Sequence, residues 1–261
     1  MYYYITEAPR SRDDHRALER ARELLTLLGI AGEFVTASPT RSVAELAELG
    51  AAKRYSTIVA IGSERLINEV ATLLAGTPYV FGALPLQNPV SLELVTGITT
   101  LEEAAEALKY RRVKLTSIAR IEPNKFFVTE IKIAIAQATP IHLAIDDASI
   151  ETNCSDIRLA GSGTIFLRNR FGDRGKRSFL NWLFGGKKEE TGYTSRFRGS
   201  KISIEMDGTY PVYLGSEVIA KTPLAIQVFP RSLKMITRRD RVSPPIIRET
   251  ERRPQFSTTN G

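Results

Sequence analysis

A turn between residues 61 and 70 places polar and charged side chains directly after an apolar run. The run Ser56–Ile61 predicts a buried strand, and Gly62-Ser63-Glu64-Arg65 leads from it into a helical pattern. Free amides at a helix start can bind phosphate, and ligands of open α/β sheets bind outside the carboxyl ends of the strands. The turn is therefore a candidate phosphate site. The alternative is a tight turn without a ligand.

A second candidate is the basic segment from Arg168 to Lys201. It contains ten basic and three acidic residues, a balance of +7 that equals the formal charge of the whole chain. Large apolar side chains between cations are typical of peptides that bind a lipid interface. The predicted membrane contacts are Arg174, Lys176, Arg177, Phe179, Trp182, Phe184, Lys187 and Lys188. The alternative is a basic loop whose aromatic side chains pack on the core. Nucleic acid is the weaker option, because the aromatic residues are clumped.

The composition argues against several other chemistries. A single cysteine, Cys154, forms neither an internal disulfide nor a cysteine metal site, and two histidines leave little material for a zinc or Ser-His-Asp site. We therefore expect no metal site of these kinds. With 43% apolar and 25% charged residues the chain is typical of globular proteins. Without a signal-peptide pattern or a long apolar run, we expect a cytoplasmic protein, with a peripheral location at the inner membrane face as the alternative.

The elements that position the turn belong to an alternating pattern over residues 1–112. Short β-branched or aromatic runs predict strands at Tyr2–Thr6, Phe34–Thr36, Ser56–Ile61 and Tyr79–Leu84. Between them, apolar residues from Leu18 to Leu28 fall on one helical face that ends at Gly29. Ser42 and Thr100 each precede a glutamate by three residues, which is the capping-box spacing. This pattern predicts an N-terminal Rossmann-like α/β domain with a mainly parallel sheet.

After residue 113 the helical pattern gives way to short alternating stretches. They predict strands at Phe126–Ile135, Ile141–Ile145, Thr164–Leu167, Lys201–Met206, Val212–Leu214 and Leu224–Phe229. Such spacing predicts an antiparallel β-sandwich domain over residues 113–237. The Arg- and Pro-rich residues 238–261 predict a flexible basic tail.

Three segments have motifs at informative spacings: Gly62 with Asn68-Glu69-Val70, Leu84 to Pro89, and Gly215-Ser216-Glu217. Together they resemble the diacylglycerol kinase and sphingosine kinase superfamily, whose lipid-kinase fold is related to that of NAD kinase. Gly62 and Asn68-Glu69-Val70 match the family's Gly-Gly-Asp-Gly-Thr turn and its Leu-Asn-Glu-Val. The stretch Leu84-Pro85-Leu86-Gln87-Asn88-Pro89 is similar to the family's Pro-Leu-Gly-Thr-Gly-Asn stretch. Gly215-Ser216-Glu217, followed by Thr222-Pro223-Leu224, is similar to its Asp-Gly-Glu loop before a Thr-Pro-Leu strand.

The resemblance spans residues 1 to about 237 and implies the fold, ATP and Mg²⁺ as cofactors, and a set of site residues. The implied nucleotide-binding residues are Gly62, Ser63, Glu64, Arg65, Asn68, Glu69, Gln87 and Asn88. The implied catalytic residues are Glu217, as general base toward a lipid hydroxyl, and Glu64, in place of the family's aspartate in the Mg²⁺ network. The alternatives are structural: Asn68 and Glu69 cap and solvate a helix, Glu64 interacts with the helix dipole, and Glu217 is an exposed carboxylate.

This sequence departs from the family pattern at the motifs that the family uses for phosphate binding and catalysis. Ser63 and Arg65 replace two glycines of the turn, and Leu66 replaces its threonine. Pro89 removes an amide. Glu7-Ala8-Pro9-Arg10-Ser11 lies where the family has Asn-Pro-Lys-Ser-Gly, so the asparagine is lost. Arg65 could instead offer a cation to a phosphate. These changes predict a weak or inactive kinase homologue that binds a nucleotide, a lipid or a protein partner. The alternatives are an active ATP-dependent lipid kinase acting on a diacylglycerol-like hydroxyl, and a membrane-surface adaptor that uses residues 168–201.

Overall fold

The computed structural model describes residues 1–86, 90–170 and 192–238. In the first half, strands alternate with helices as predicted: β1 (Tyr2–Glu7), α1 (Arg12–Leu27), β2 (Gly32–Ala37), α2 (Val43–Ala52), β3 (Thr57–Gly62), α3 (Glu64–Leu74), β4 (Val80–Pro85), α4 (Val90–Thr96) and α5 (Leu101–Tyr110). The four strands are parallel and lie in the order β4-β3-β1-β2. The mainly parallel N-terminal sheet is therefore confirmed.

Strand β3 leads into the candidate phosphate turn and is covered on both faces. Ile58 and Ala60 pack into a core shared with α2 and α3, whereas Val59 and Ile61 pack into a second core shared with α1 and α5. All six residues of β3 are buried. This is the pattern of a parallel strand between two helical layers, and it fixes the position of the turn that follows.

Side-chain caps fix where the helices begin. Glu45 N donates to Ser42 Oγ over 3.2 Å and Ser42 N donates to Glu45 Oε2 over 2.7 Å, which is the capping box predicted for α2. At α5, Glu103 N donates to Thr100 Oγ1 over 3.2 Å, but Glu103 Oε2 accepts from Thr99 N over 2.9 Å. The second half of that predicted box thus reaches one residue further back along the chain.

The second half of the described chain consists of strands. They are β5 (Val113–Ile121), β6 (Lys125–Phe127), β7 (Glu130–Ile145), β8 (Ala148–Ala160), β9 (Thr164–Arg170), β10 (Gly192–Arg198), β11 (Lys201–Met206), β12 (Pro211–Leu214), β13 (Glu217–Lys221) and β14 (Leu224–Ile236). Strands β10-β9-β8-β7-β11-β14 form one antiparallel run, and the β12–β13 hairpin pairs with the first part of β7. Their inward side chains share one apolar core. The predicted α/β-then-antiparallel fold class is confirmed.

Several predicted strand limits are wrong. The stretch Phe126–Ile135 is divided between β6 and β7, and β7 then continues through Ile145, because a register shift between Ala134 and Thr139 lets it bend without ending. Strand β14 likewise continues past Phe229, through a register shift between Phe229 and Leu233. Strands β5, β8, β10 and β13 were not predicted from the sequence.

Strand β14 joins the two halves of the molecule. It pairs antiparallel with β11 and β5, and its end pairs parallel with β4 through Lys234–Val80 and Met235–Phe81. Leu233 and Met235 are buried in the same core as α2 and α3. The boundary near residue 113 stays a prediction. None of the described helices has both the length and the apolar character that crossing a membrane requires.

Candidate functional site

A cleft of about 280 Å³ opens where β3 and β4 end, opposite the turn between β12 and β13. Its lining includes five of the predicted residues, Gly62, Ser63, Glu64, Arg65 and Glu217. One part of its wall is apolar and is formed by Ile67, Pro85, Leu92 and Leu214. The fold therefore brings the turn after β3 and the loop before β13 into one site.

The N-terminus of α3 is in contact with a carboxylate of the chain itself. Ser63 is the N-cap residue, and its backbone N donates a short hydrogen bond to Glu7 Oε1. Glu7 ends β1, where Thr6 pairs with Ile61 of β3, so its side chain reaches across to the neighbouring strand end. A Cβ at Gly62 would lie 2.7 Å from Glu7 Oε1, so glycine permits this approach. An anion thus already lies where a helix start favours one.

Arg65 is the centre of an ion-pair cluster. Its Nε lies 3.4 Å from Glu217 Oε1, its Nη1 lies 3.4 Å from Glu69 Oε2, and its Nη2 lies 3.9 Å from Glu7 Oε2. The Glu7 side chain is only 17% exposed, and its Oε2 is buried with no hydrogen-bond partner among the described residues. The three carboxylates come from β1, α3 and β13, so one guanidinium group ties three elements together at the cleft.

Glu64 and Asn68 connect α3 to the antiparallel half of the molecule. Thr129 Oγ1 donates to Glu64 Oε1 over 2.6 Å and accepts from Asn68 Nδ2 over 2.7 Å. Asn68 Oδ1 accepts from Val128 N and Thr129 N, and Asn68 Nδ2 also donates to Glu64 O. Asn68 is 2% exposed. Both donor hydrogens and both acceptor directions of its amide are therefore engaged within the protein.

The turn before β13 closes the cleft from the other side. Gly215 has a φ of +59°, in the left-handed region that glycine occupies readily, and a Cβ there would lie 3.1 Å from Glu64 Oε2. Glu217 follows two residues later, with its side chain half exposed. Gly215 thus permits Glu64 and Glu217 to lie on opposite walls of one narrow cleft.

The electrostatic balance of the site is negative. Glu7, Glu64, Glu69 and Glu217 surround the start of α3, whereas the cations of the same region are Arg65 and Arg10. Among the residues that the structure describes, no group of three or more metal-ligating side chains is arranged to hold a metal ion. This arrangement favours a cationic or neutral polar group over a polyphosphate.

Glu130, next to Thr129, is a mostly buried carboxyl group whose side chain is 10% exposed. Burial raises its pKa, the Arg158 guanidinium 3.8 Å from its Oε1 opposes that rise, and the nearby Glu64 carboxylate adds to it. Its Oε2 has no hydrogen-bond partner among the described atoms. Glu130 could not be identified from the sequence, because neither its burial nor its neighbours are defined until β7 and β8 pair.

The predicted site residues therefore divide into three sets. Gly62, Ser63, Glu64, Arg65 and Glu217 lie at the cleft; Asn68 is buried beneath it, and Glu69 lies one turn along α3. Gln87 and Asn88 lie outside the described residues, as do the predicted membrane contacts Arg174, Lys176, Arg177, Phe179, Trp182, Phe184, Lys187 and Lys188 and most of the predicted basic tail. Sequence reasoning did not identify Glu7 or Thr129 as site residues.

Solved structures match the fold of the chain over most of its length. One, described as "a putative diacylglycerol kinase" from Bacillus anthracis str. Sterne, is 14% identical, with a TM-score of 0.65 over 90% of this chain and 97% of that chain. A second, described as a diacylglycerol kinase from the same organism, is 16% identical, with a TM-score of 0.64 over 90% and 96%. The chain has the diacylglycerol kinase fold. No protein-family model and no curated protein matches it.

This likeness confirms the fold that the resemblance implied. The match covers 90% of this chain, so it extends over both the parallel and the antiparallel halves. A shared fold hosts different functions, which depend on the side chains of the site. The Glu7–Ser63 contact and the Arg65 cluster are therefore the features on which function must be argued.

Proposed function

We propose that this chain is a non-catalytic binding protein built on the diacylglycerol kinase fold, with a cleft that does not take Mg-ATP in a reactive position. The observation that carries the proposal is the hydrogen bond from Ser63 N to the Glu7 carboxylate. A nucleotide phosphate bound at the start of α3 would need this amide. It would also have to approach a carboxylate that is mostly buried.

The charge of the cleft supports the same conclusion. A triphosphate requires compensating cations or a bound metal, but the guanidinium of Arg65 already faces Glu7, Glu69 and Glu217. The site as it stands does not fit ATP with Mg²⁺, so we assign no catalytic step to that cofactor here.

The residues of the turn add a steric argument. Ser63 and Arg65 stand where the resembling family has glycines, whose lack of a side chain lets the backbone approach a phosphate. Oxyanion-type donors are each worth about 10²–10³ in rate, so several lost together remove most of a kinase's advantage. The remaining cleft, with one apolar wall and carboxylates opposite, suits a small ligand with a cationic or hydroxyl-bearing head, or a partner's side chain.

The second candidate is a slow lipid kinase. It is favoured by the position of Glu217, which lines the same cleft as the start of α3 and could accept a proton from an acceptor hydroxyl. This candidate requires Arg65 to leave Glu217 and Glu7 to leave Ser63 before a nucleotide binds.

The decisive experiment compares the protein with its Glu7→Gln variant. Thermal stability is measured with Mg-ATP, Mg-ADP and inorganic phosphate, together with phosphoryl transfer from radiolabelled ATP to diacylglycerol and sphingosine in mixed micelles. We expect no stabilisation and no transfer with the unmodified protein. Glu7→Gln should gain anion-dependent stabilisation, since the negative charge at the helix start is gone. Glu48→Gln, an exposed glutamate on α2, is the matched control and should gain none.

Two results would contradict the proposal. Turnover by the unmodified protein near the usual enzyme value of about 10 s⁻¹ would establish an active kinase. Strong stabilisation of the unmodified protein by Mg-ATP would mean that Glu7 does not exclude the nucleotide. If Glu7→Gln gains nothing while the unmodified protein is also unaffected, phosphate exclusion has another cause than Glu7.

A further inference from the structure

The outward face of strands β7 to β10, extended by the β12–β13 hairpin, carries a row of side chains that the cleft does not use. Backbone pairing places Val218, Tyr213, Lys132, Arg158, Phe166 and Arg196 side by side across six strands. Their neighbours along each strand, such as Ile131, Ile157 and Leu167, are buried in the antiparallel core. The row therefore lies on the outer side of the sheet.

Cations dominate this face. Lys132, Arg158, Arg168, Arg196 and Arg198 share it, and the acidic residues beside them on β7 and β8 are Glu130 and Asp156. Asp156 lies 3.7 Å from Lys132 and 3.6 Å from Arg158, and Glu130 lies 3.8 Å from Arg158, so these two cations have two carboxylates beside them. Arg196 and Arg198 are exposed, and no carboxylate of the described chain lies within ion-pair distance of them. Positive charge is therefore in excess at the β10 edge.

Apolar groups accompany the cations. Val218 is 52% exposed and Tyr213, its neighbour in the row, is partly exposed. The Phe166 ring is covered by Arg158, whose Cζ lies 5.6 Å from the ring centroid. A ring covered in this way is not offered to a nucleic-acid base for stacking. Cations beside exposed aliphatic and tyrosine side chains fit the boundary between lipid headgroups and acyl chains.

The position of the face points to the same partner. One side of it reaches the β12–β13 turn at the mouth of the cleft, and its other end is the pair Arg170–Gly192, where β9 and β10 are joined by residues 171–191. By sequence this connection contains five basic and three acidic residues. Two phenylalanines, Phe179 and Phe184, and Trp182 follow its first three basic residues. Basic and apolar residues thus continue from the face into the segment for which the sequence predicts membrane contact.

We propose that this sheet face, the basic face, docks on an anionic phospholipid bilayer, with Arg196 and Arg198 supplying the attraction and Val218 and Tyr213 resting at the headgroup boundary. The charge complementarity supports this occupant, together with the exposed Val218 and the partly exposed Tyr213 on the same face. The proposal does not depend on the proposed function, because the cleft residues are not part of it. Docking would turn the mouth of the cleft toward the lipid surface.

The test measures co-sedimentation with vesicles of phosphatidylglycerol and phosphatidylcholine, and with vesicles of phosphatidylcholine alone. We expect binding to the anionic vesicles only, and a loss on addition of salt. The double variant Arg196→Gln, Arg198→Gln should bind about thirtyfold more weakly, the effect expected of two cations near an anionic surface. The matched control is Arg12→Gln, Lys109→Gln, which removes the same charge from α1 and α5 and should change binding less than about threefold.

Three results would overturn the proposal. Equal weakening by both double variants would mean that net charge alone is responsible. Equal binding to neutral vesicles, or no binding to anionic ones, would remove the bilayer as partner. Tight binding of a single-stranded oligonucleotide, without binding to any of the vesicles, would assign the face to nucleic acid. Thermal unfolding checks that each variant is folded, and if the double variant is not, Arg198→Gln alone should still weaken binding about fivefold.

Discussion

Asn68 and Thr129 exchange two hydrogen bonds across 61 residues of sequence: Asn68 Nδ2 donates to Thr129 Oγ1 over 2.7 Å, and Thr129 N donates to Asn68 Oδ1 over 3.2 Å. Val128 N adds a third bond, to the same Oδ1, over 2.8 Å. The asparagine that the family resemblance assigned to nucleotide binding thus fastens α3 to the start of β7.

Replacing Asn68 by alanine should therefore destabilise the whole protein. The variant leaves Val128 N and Thr129 N buried without an acceptor, and each unsatisfied group costs about 1–3 kcal/mol. We expect the free energy of unfolding in urea to fall by about 3 kcal/mol. The control Glu69→Ala, in the next position and 40% exposed, should change it by less than about 0.5 kcal/mol. Similar losses in the two variants would contradict the bridging role.

Glu130 should make stability fall as the pH rises. Burial raises its pKa above the ordinary glutamate value of 4.5, with Glu64 adding to the rise and Arg158 opposing it. The folded state therefore holds the proton more tightly than the unfolded state, so the contribution is full below pH 4.5 and is lost as the pH passes the raised value. Within that window the slope reaches up to about 1.4 kcal/mol per pH unit.

Glu130→Gln isolates this effect. The variant has no carboxyl proton to lose, so its free energy of unfolding relative to that of the unmodified protein should increase from about pH 4 upward and then level off. The measurement is urea unfolding at intervals of about one pH unit. Glu48→Gln on the exposed side of α2 should run parallel to the unmodified protein throughout. A difference between Glu130→Gln and the unmodified protein that does not vary with pH would refute the assignment.

If the second candidate, a slow lipid kinase, holds, Glu217 should matter for phosphoryl transfer; in either case it should matter very little for stability. Its ion pair with Arg65, at 3.4 Å, is between half-exposed groups, and such pairs are worth about 0–1 kcal/mol. Glu217→Gln should therefore melt within a few degrees of the unmodified protein. Any trace of phosphoryl transfer should disappear in this variant without a change in nucleotide affinity, since a base acts only on the acceptor hydroxyl. Glu205→Gln, an exposed glutamate on β11, is the control. Unchanged transfer would exclude Glu217 from the reaction.

Trp182 offers a direct optical test of the segment between β9 and β10, which lies outside the described residues. As the only tryptophan, it reports without interference from another indole. We expect its emission to shift to the blue with phosphatidylglycerol vesicles, to stay unchanged with phosphatidylcholine vesicles, and to lose the shift in roughly half-molar salt, where screening is strong. Emission that is already blue and does not respond to anionic lipid would indicate a ring packed on the core instead.

The order of elements could be predicted because the period of the apolar residues changes from helical to alternating near residue 113. The positions at which the long strands end could not be predicted. The sequence around Pro140 and around Pro230 resembles a strand end, yet both β7 and β14 continue, because pairing on each side carries them through a register shift. The local sequence shows where the alternating apolar pattern is interrupted, but pairing with the neighbouring strands determines whether the strand ends there.

In the candidate site, too, some features could be predicted from the sequence and others could not. Gly62 to Arg65 could be predicted, since a turn after a buried strand has a recognisable composition. The Glu7–Ser63 contact could not, because it requires β1 to lie beside β3 with Thr6 opposite Ile61. The role of Thr129 could not be predicted for a similar reason, because only the packing of β6 and β7 on α3 brings it next to Glu64.

The pairing of β14 with β4 has a consequence for biosynthesis. During translation, β4 leaves the ribosome about 150 residues before Lys234 and Met235, the residues that pair with it, and nascent chains grow by about 5–20 residues per second. For several seconds the nascent parallel sheet ends at β4 (Val80–Pro85), which pairs with β3 on one side and has no partner on the other. All six residues of β4 are buried in the finished fold, and the nascent sheet still lacks Leu233 and Met235 in its core. Such an edge is a template for association between chains. Chaperone binding early in synthesis should therefore protect residues 80–85.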